Sequence, residues 1–116
     1  MAFADYIRER RESLRSEDKR YSLRQVAQRI GVQPAYLSRI ERGDFPPPSE
    51  DKIGLLAAEL DVDCDVLLAM AGKVSKDLQA IIRARPALFA ELIRALKSAP
   101  DDQVLKLARE IRDGDW

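Results

Sequence analysis

Apolar side chains recur at helical spacing on both sides of a tight corner in the segment from 22 to 43. Val26 and Ile30 lie on one apolar stripe, and Gly31 follows them, where a left-handed residue commonly ends a helix. Pro34 stands where a second helix would begin, because proline's missing N–H would be unpaired in a first turn anyway. The pattern predicts two short helices joined by a corner of about three or four residues, a helix-turn-helix unit.

Capping and apolar positions complete the same segment. Ser22 and Gln25 form a capping-box pattern, in which the hydroxyl accepts from a first-turn N–H and the amide can reach back. Leu37 and Ile40 supply the buried side of the second helix, and Gly43 closes it. Local chemistry therefore predicts where both helices begin and end.

The flanking segments also have the pattern of amphipathic helices. Residues 2–15 carry apolar side chains at helical spacing with charged residues between them, and Ser49 and Asp63 are placed to cap two further helices. Cys64 occupies an apolar position of the last of these, so we expect a buried thiol that acts as a small hydrophobe. The expected core face of the helix after Ser49 comprises Ile53, Leu55, Leu56, Ala57 and Leu60.

An ordered set of residues carries a family resemblance. These positions are Ser22, Val26, Ala27, Ile30, Gly31, Val32, Ser38, Ile40, Glu41 and Gly43. In this order they resemble the pattern of the phage-repressor and Cro-like (XRE) helix-turn-helix family, and the similarity covers residues 3 to 72. The resemblance implies an all-α protein, with a five-helix repressor-type helix-turn-helix domain at 1–72 and a short C-terminal helical extension at 73–116.

The resemblance also implies that the second helix of the motif, Pro34 to Arg42, reads DNA in the major groove. The side chains expected to face the bases are Gln33, Pro34, Ala35, Ser38 and Arg39. Gln33 has the amide geometry to pair with adenine, and Arg39 can make a bidentate contact to guanine O6 and N7. Ala35 offers only a methyl group, which suits the methyl group of thymine.

Phosphate contacts are expected from a second set of residues, namely Ser22, Arg24, Tyr36 and Arg42. Arg24 starts the first motif helix, where a helix N-terminus and a cation together attract a phosphate. Two alternatives stay open: Tyr36 can belong to the core, and Arg42 can interact with the dipole of its own helix. Glu41 is expected to pair with an arginine inside the domain, and Arg8 or Arg11 either braces the fold or touches phosphate.

Net charge is zero, but its distribution is uneven. Residues 1–43 carry ten Lys or Arg against six Asp or Glu, whereas residues 44–72 carry one against seven. The positive charge is therefore concentrated in the part that resembles a DNA reader. The modest excess indicates phosphate contacts from a few arginines rather than a broad basic surface.

Composition argues against catalysis and against metal binding. The chain has no histidine and one cysteine, which leaves no Ser-His-Asp or Cys-His arrangement and no thiolate metal cluster. We expect no enzyme activity, no cofactor and no metal. Without a long apolar run or a signal peptide, we expect no membrane association and a cytoplasmic, nucleoid-associated protein.

The extension carries more apolar surface than three short helices can bury among themselves. Breaks at Arg85-Pro86 and Pro100-Asp101 predict three helices, which must pack either on the first module or on another copy of themselves to be stable. We expect residues 86–116 to build much of a two-fold dimer interface. Its expected residues are Leu88, Phe89, Leu92, Ile93, Leu96, Leu105, Ile111 and Trp116.

The sequence therefore favours a sequence-specific, double-stranded-DNA-binding transcriptional regulator, expected to be a homodimeric repressor of a palindromic operator. One alternative is an antitoxin-type autoregulator whose C-terminal helices bind a partner protein. Another is a protein-interaction module that keeps the fold without binding DNA; internal ion pairs that bury Arg24 and Arg39 would favour it.

Overall fold

Helices account for the regular structure of residues 2–114, which are the residues that the computed structural model describes. The element bounds are α1 Phe3–Arg15, a 3-10 turn at Lys19–Tyr21, α2 Leu23–Ile30, α3 Pro34–Glu41, α4 Glu50–Leu60, α5 Cys64–Met70, α6 Lys76–Ala84, α7 Pro86–Leu96 and α8 Asp101–Asp113. No strand occurs between 2 and 114, so this part of the chain is all-α as expected. The chain divides into a unit that runs to Lys76 and a second unit that begins at Asp77.

Helices α1 to α5 enclose the core of the first unit. Ile7, Val26, Ile53 and Leu60 are among the completely buried residues. The other buried apolar residues are Phe3, Ala27, Ile30, Leu37, Ile40, Leu56, Ala57, Leu67 and Leu68. Because every one of the five helices supplies buried residues to one continuous cluster, their mutual orientation is fixed by packing.

Capping side chains set the starts of three helices in this unit. The Ser22 hydroxyl accepts from the Gln25 N–H at 3.3 Å, and Ser49 does the same for Lys52 at 3.4 Å. The Asp63 carboxylate accepts from the Val66 N–H at 3.0 Å. Each cap satisfies one first-turn N–H that the helix itself leaves without a partner, as predicted.

A buried ion pair joins α1 to the end of α3. The Arg11 guanidinium donates through Nε and Nη2 to the two oxygens of Glu41, at 2.7 and 2.8 Å. Arg11 also donates to the Tyr21 carbonyl, and Arg8 donates to the Glu41 carbonyl, both at 3.2 Å. The expected structural role of Glu41 is confirmed, and Arg8 and Arg11 both brace the fold.

Two expected core positions are exposed. Leu55 is 47% exposed because the buried stripe of α4 follows the spacing of Ile53, Leu56 and Leu60, from which Leu55 is rotated away. The prediction of a buried Cys64 is also wrong. Cys64 is the first residue of α5, and a helix end leaves its side chain open to solvent on the outer side.

The second unit consists of the rest of α6, α7 and α8, without a buried core. No residue from 77 to 114 is buried. Phe89 and Leu96 are partly buried, and Trp116 lies outside the described residues. The large apolar side chains exposed in this unit are Leu78, Ile81, Leu88, Leu92, Ile93, Leu105, Leu107 and Ile111. In residues 2–114, no helix is both long enough and apolar enough to cross a bilayer.

Candidate nucleic-acid interface

The corner between α2 and α3 is held by backbone geometry and by one lysine. Gly31 adopts a left-handed φ of 75°, and the Val32 N–H returns to the Ala27 carbonyl at 2.9 Å. The Lys52 ammonium group on α4 donates to the Ile30 carbonyl at 3.0 Å, where the C-terminal end of α2 is negative. The start of α3 is thereby held in a fixed position relative to α2.

Helix α3 has a buried side and an exposed side. Leu37, Ile40 and Glu41 face the core. The opposite stripe comprises Ala35, Ser38, Arg39 and Arg42, which recur at i, i+3, i+4 and i+7. Of these, Ser38 is half-buried and the other three are exposed. Gln33, the residue before the helix, is also exposed and makes no side-chain cap.

A shallow groove brings α2 and the start of α3 together. It is lined by Arg24, Gln28, Gly31, Val32, Gln33 and Pro34. Arg24, a phosphate candidate, therefore lies in the same groove as Gln33 and Pro34, which are base-reading candidates. Sequence reasoning missed Gln28, although its position four residues after Arg24 places both on one exposed face of α2.

Arg39 is exposed and lies against an aromatic ring. Its guanidinium carbon is 5.2 Å from the centre of the Phe45 ring. The ring of Tyr36 meets the same Phe45 ring edge-on, with centroids 5.9 Å apart. Tyr36 is partly buried and packs against the core, so it combines a packing role with partial exposure to solvent.

Most of the remaining candidates have local partners. The Ser22 hydroxyl accepts its capping bond, which leaves its own proton available to another acceptor. Arg42 lies 3.5 Å from Asp44, but both side chains are 60% exposed, so the pair is weak. On the preceding loop, the Arg20 guanidinium holds the pKa of Asp18 below its ordinary value through their hydrogen bond.

Arg24 and Arg39 differ from these arginines because neither forms an ion pair with any residue between 2 and 114. Both are exposed. Their positive charge is therefore available to an external anion. In the same part of the chain, no group of three or more His, Cys, Asp or Glu is arranged to hold a metal ion.

Comparisons with known proteins agree with this geometry. The sequence profile of the family described as Helix-turn-helix matches residues 7–67. Two HTH-type transcriptional regulators, from two strains of Mycobacterium tuberculosis, are each 40% identical over 67 residues, which cover 58% of this chain. The match spans 44% of the length of these relatives, and no solved structure matches the chain. Because the profile covers more than half of the chain, the protein belongs to the phage-repressor and Cro-like (XRE) helix-turn-helix family of transcriptional regulators.

Proposed function

We propose that this protein is a dimeric repressor that reads a palindromic DNA operator, with α3 and the following Arg42 in the major groove. The observation that carries this proposal is the exposed stripe of α3, on which Arg39 has no ionic partner within residues 2–114. A recognition helix must present side chains away from its own core, and this stripe lies opposite the buried residues Leu37 and Ile40.

Within this proposal, the two exposed arginines have different tasks. Arg39 contacts the edge of a guanine base. The other residues proposed to face the bases are Gln33, Pro34, Ala35 and Ser38. Arg24 contacts a phosphate from the groove beside the α2 N-terminus, where first-turn N–H groups add to its positive charge. Ser22, Tyr36 and Arg42 are proposed as further phosphate contacts, and Gln28 joins them because it lines the groove.

Dimerisation is assigned to the C-terminal extension. We place the DNA-binding domain at residues 1–72 and the extension at 73–116. The extension's exposed apolar residues need a covering surface, and a second copy of the same chain supplies one by two-fold symmetry. Two recognition helices about one DNA turn, roughly 34–36 Å, apart would then read a palindrome.

The experiment is a gel shift across a salt series, using duplexes that the wild-type protein selects from a pool of its upstream DNA. Arg39→Ala should relax sequence selection, with a loss of about 1–3 kcal/mol at one base pair. Arg24→Ala should weaken all sequences alike and reduce the salt slope by about 1. Arg15→Ala removes the same charge from the exposed last turn of α1 and is the matched control.

Three outcomes would contradict the proposal. One is a wild-type protein that holds no duplex above the non-specific level at low salt. Another is selection that stays unchanged in Arg39→Ala. A third is a control variant, Arg15→Ala, whose loss of affinity equals that of Arg24→Ala.

An antitoxin-type autoregulator is the second candidate, favoured by the exposed apolar side chains of α6 to α8. In that case the extension would bind a partner protein of a different sequence. The test is to co-express the protein with the product of the adjacent gene, to co-purify the two and to measure the molecular mass of the complex. The mass distinguishes a hetero-complex from a homodimer. The module without DNA binding is not favoured, since Arg24 and Arg39 are exposed and lack ionic partners in the described chain.

A further inference from the structure

The loop after α3 returns towards the helix and places an aromatic ring beside Arg39. Gly43 has a φ of 77°, which reverses the chain immediately after the helix. The Arg39 carbonyl then accepts from the N–H groups of Asp44 at 2.9 Å and Phe45 at 3.4 Å. The backbone of Phe45 is therefore bonded to the residue whose side chain its ring contacts.

Two further features restrict the Phe45 ring. Pro46 follows it directly, and a proline disfavours the helical region for the residue before it, which narrows the backbone conformations open to Phe45. Tyr36, one turn before Ile40 on α3, meets the ring edge-on at an interplanar angle of 75°. The edge-to-face arrangement is the favourable one for the two ring quadrupoles. Although 40% exposed, the ring is therefore restricted by its backbone and by its contact with Tyr36.

A confined ring limits the conformations of the arginine that lies over it. The guanidinium of Arg39 is 5.2 Å from the ring centre, within the distance at which a cation is attracted to an aromatic face. A guanidinium that lies parallel to an aromatic face keeps its N–H groups, which lie in its own plane, able to donate. Those in-plane donors are the ones that a bidentate contact to guanine uses.

We propose that Phe45 is a positioning residue, which holds the Arg39 side chain extended on the reading surface before DNA binds. This inference rests on the proposed function. A free arginine loses much of its rotamer freedom when it contacts a base, whereas an arginine already held against a ring loses less. Phe45 therefore sharpens the preference for guanine at the base pair that Arg39 contacts, without itself contacting a base.

The test is a double-mutant cycle between Phe45 and Arg39, measured on the selected duplex and on versions with each G·C pair replaced. Phe45→Leu keeps an apolar side chain without an aromatic face and should lower the preference for guanine at one base pair by about two- to fivefold. Phe45→Tyr keeps the face and should behave like wild type. In an Arg39→Ala background, Phe45→Leu should have no further effect.

Two readouts separate positioning from a general loss of structure or charge. The salt slope should be equal in wild type and Phe45→Leu, since the substitution removes no charged contact to phosphate. In the DNA-free protein, NMR should show the Arg39 side-chain protons shifted upfield by the ring, with the shift lost in Phe45→Leu and kept in Phe45→Tyr. Thermal unfolding of each variant controls for folding.

The inference is overturned if Phe45→Leu lowers affinity equally in the wild-type and Arg39→Ala backgrounds. It is also overturned if Phe45→Leu binds its guanine site more tightly than wild type does, which would mean that the ring withholds Arg39 from DNA. If Arg39→Ala itself leaves sequence selection unchanged, the proposed function fails as well. If Arg39→Ala relaxes sequence selection as expected but Phe45→Leu leaves the preference for guanine unchanged, the positioning role of Phe45 is excluded and the proposed function stands.

Discussion

Arg11 and Glu41 are separated by thirty residues and form a two-bond ion pair that is almost entirely inaccessible to solvent. The pair joins α1 to the last residue of α3, so it holds the C-terminal end of the proposed reading helix against the core. The hydrogen bond to Glu41 raises the pKa of Arg11, although burial acts in the opposite direction. Arg11 thus keeps its positive charge, and its two hydrogen bonds to Glu41 fix the orientation of α3.

Removing one partner should strongly destabilise the domain. Arg11→Met leaves the Glu41 carboxylate buried without its partner, and the expected cost is about 3–5 kcal/mol in the free energy of unfolding. The double variant Arg11→Met, Glu41→Leu should recover a large part of this loss, because no charge is then left buried. Urea denaturation followed by circular dichroism measures both.

An exposed ion pair provides the matched control. Arg20 pairs with Asp18 at 2.8 Å, but the Arg20 side chain is 78% exposed. Arg20→Met should therefore leave the urea midpoint unchanged. If Arg11→Met were as mild as Arg20→Met, the buried pair would not hold α3 in place.

Gly31 should tolerate alanine poorly. Its φ of 75° is unfavourable for a residue with a Cβ atom, which costs about 1–2 kcal/mol. A Cβ would also lie 3.2 Å from the Lys52 ammonium group that bonds the end of α2. Gly31→Ala should lower the free energy of unfolding by at least this amount, measured by urea denaturation.

Gly54 is the matched control for Gly31, because it lies inside α4 with a negative φ. A Cβ there would meet only the Cys64 sulfur, at an ordinary distance of 3.9 Å. Gly54→Ala should therefore stabilise the domain by about 1 kcal/mol, since alanine is a better helix former than glycine. Equal effects of the two substitutions would show that backbone conformation does not determine the role of Gly31.

Local chemistry explains which features the sequence predicted. Ser22, Gly31 and Pro34 each act on their own neighbours, through a cap, a left-handed turn and a first helical turn. The sequence left two roles open for Arg11, a structural one and a phosphate contact. Only the tertiary structure decides between them, because the partner of Arg11 lies thirty residues away. Sequence reasoning also missed the contact between Arg39 and Phe45, since it depends on the chain reversal at Gly43.

The errors have a different cause. Leu55 has the apolar character of a core residue, and only the rotation of α4 shows that it faces solvent. The sequence predicts a buried Cys64 because its position is apolar by type, yet a first helical residue is covered on one side only. A hydrophobic pattern therefore identifies the helices more reliably than it identifies the burial of residues at the edge of a stripe.

Cys64 should react in the native protein, but slowly. It is exposed, and its pKa is raised by partial desolvation and then by the negative charges of Asp65, Asp63 and Glu50. The reactive thiolate is consequently scarcer at a given pH than in the unfolded chain. Iodoacetamide labelling, followed by mass spectrometry across a pH series, should give a higher midpoint for the native protein than for the urea-unfolded one.

Asp65→Asn should move the native midpoint of Cys64 labelling to lower pH, because one of the nearby negative charges is removed. The control is the same variant unfolded in urea. Its labelling midpoint should differ less from that of the unfolded wild type than the native midpoints differ from each other. Labelling that occurs only after unfolding would mean that Cys64 is buried, contrary to the structure.

The last prediction concerns the apolar stripe of α7. Leu92 is 42% exposed near the middle of this stripe, and a lysine there should place a charge in the proposed dimer interface. Leu92→Lys should raise the dimer dissociation constant about 30-fold or more, as for an interface hot spot. Glu91→Gln changes net charge by the same amount off the stripe and should leave dimers intact. Sedimentation velocity at micromolar concentration measures the association of both variants, and a monomeric wild-type protein would contradict the proposed interface.

If Leu92→Lys is a folded monomer, its affinity for the full palindrome should fall while its affinity for one half-site is retained, because dimerisation contributes only when both half-sites are present.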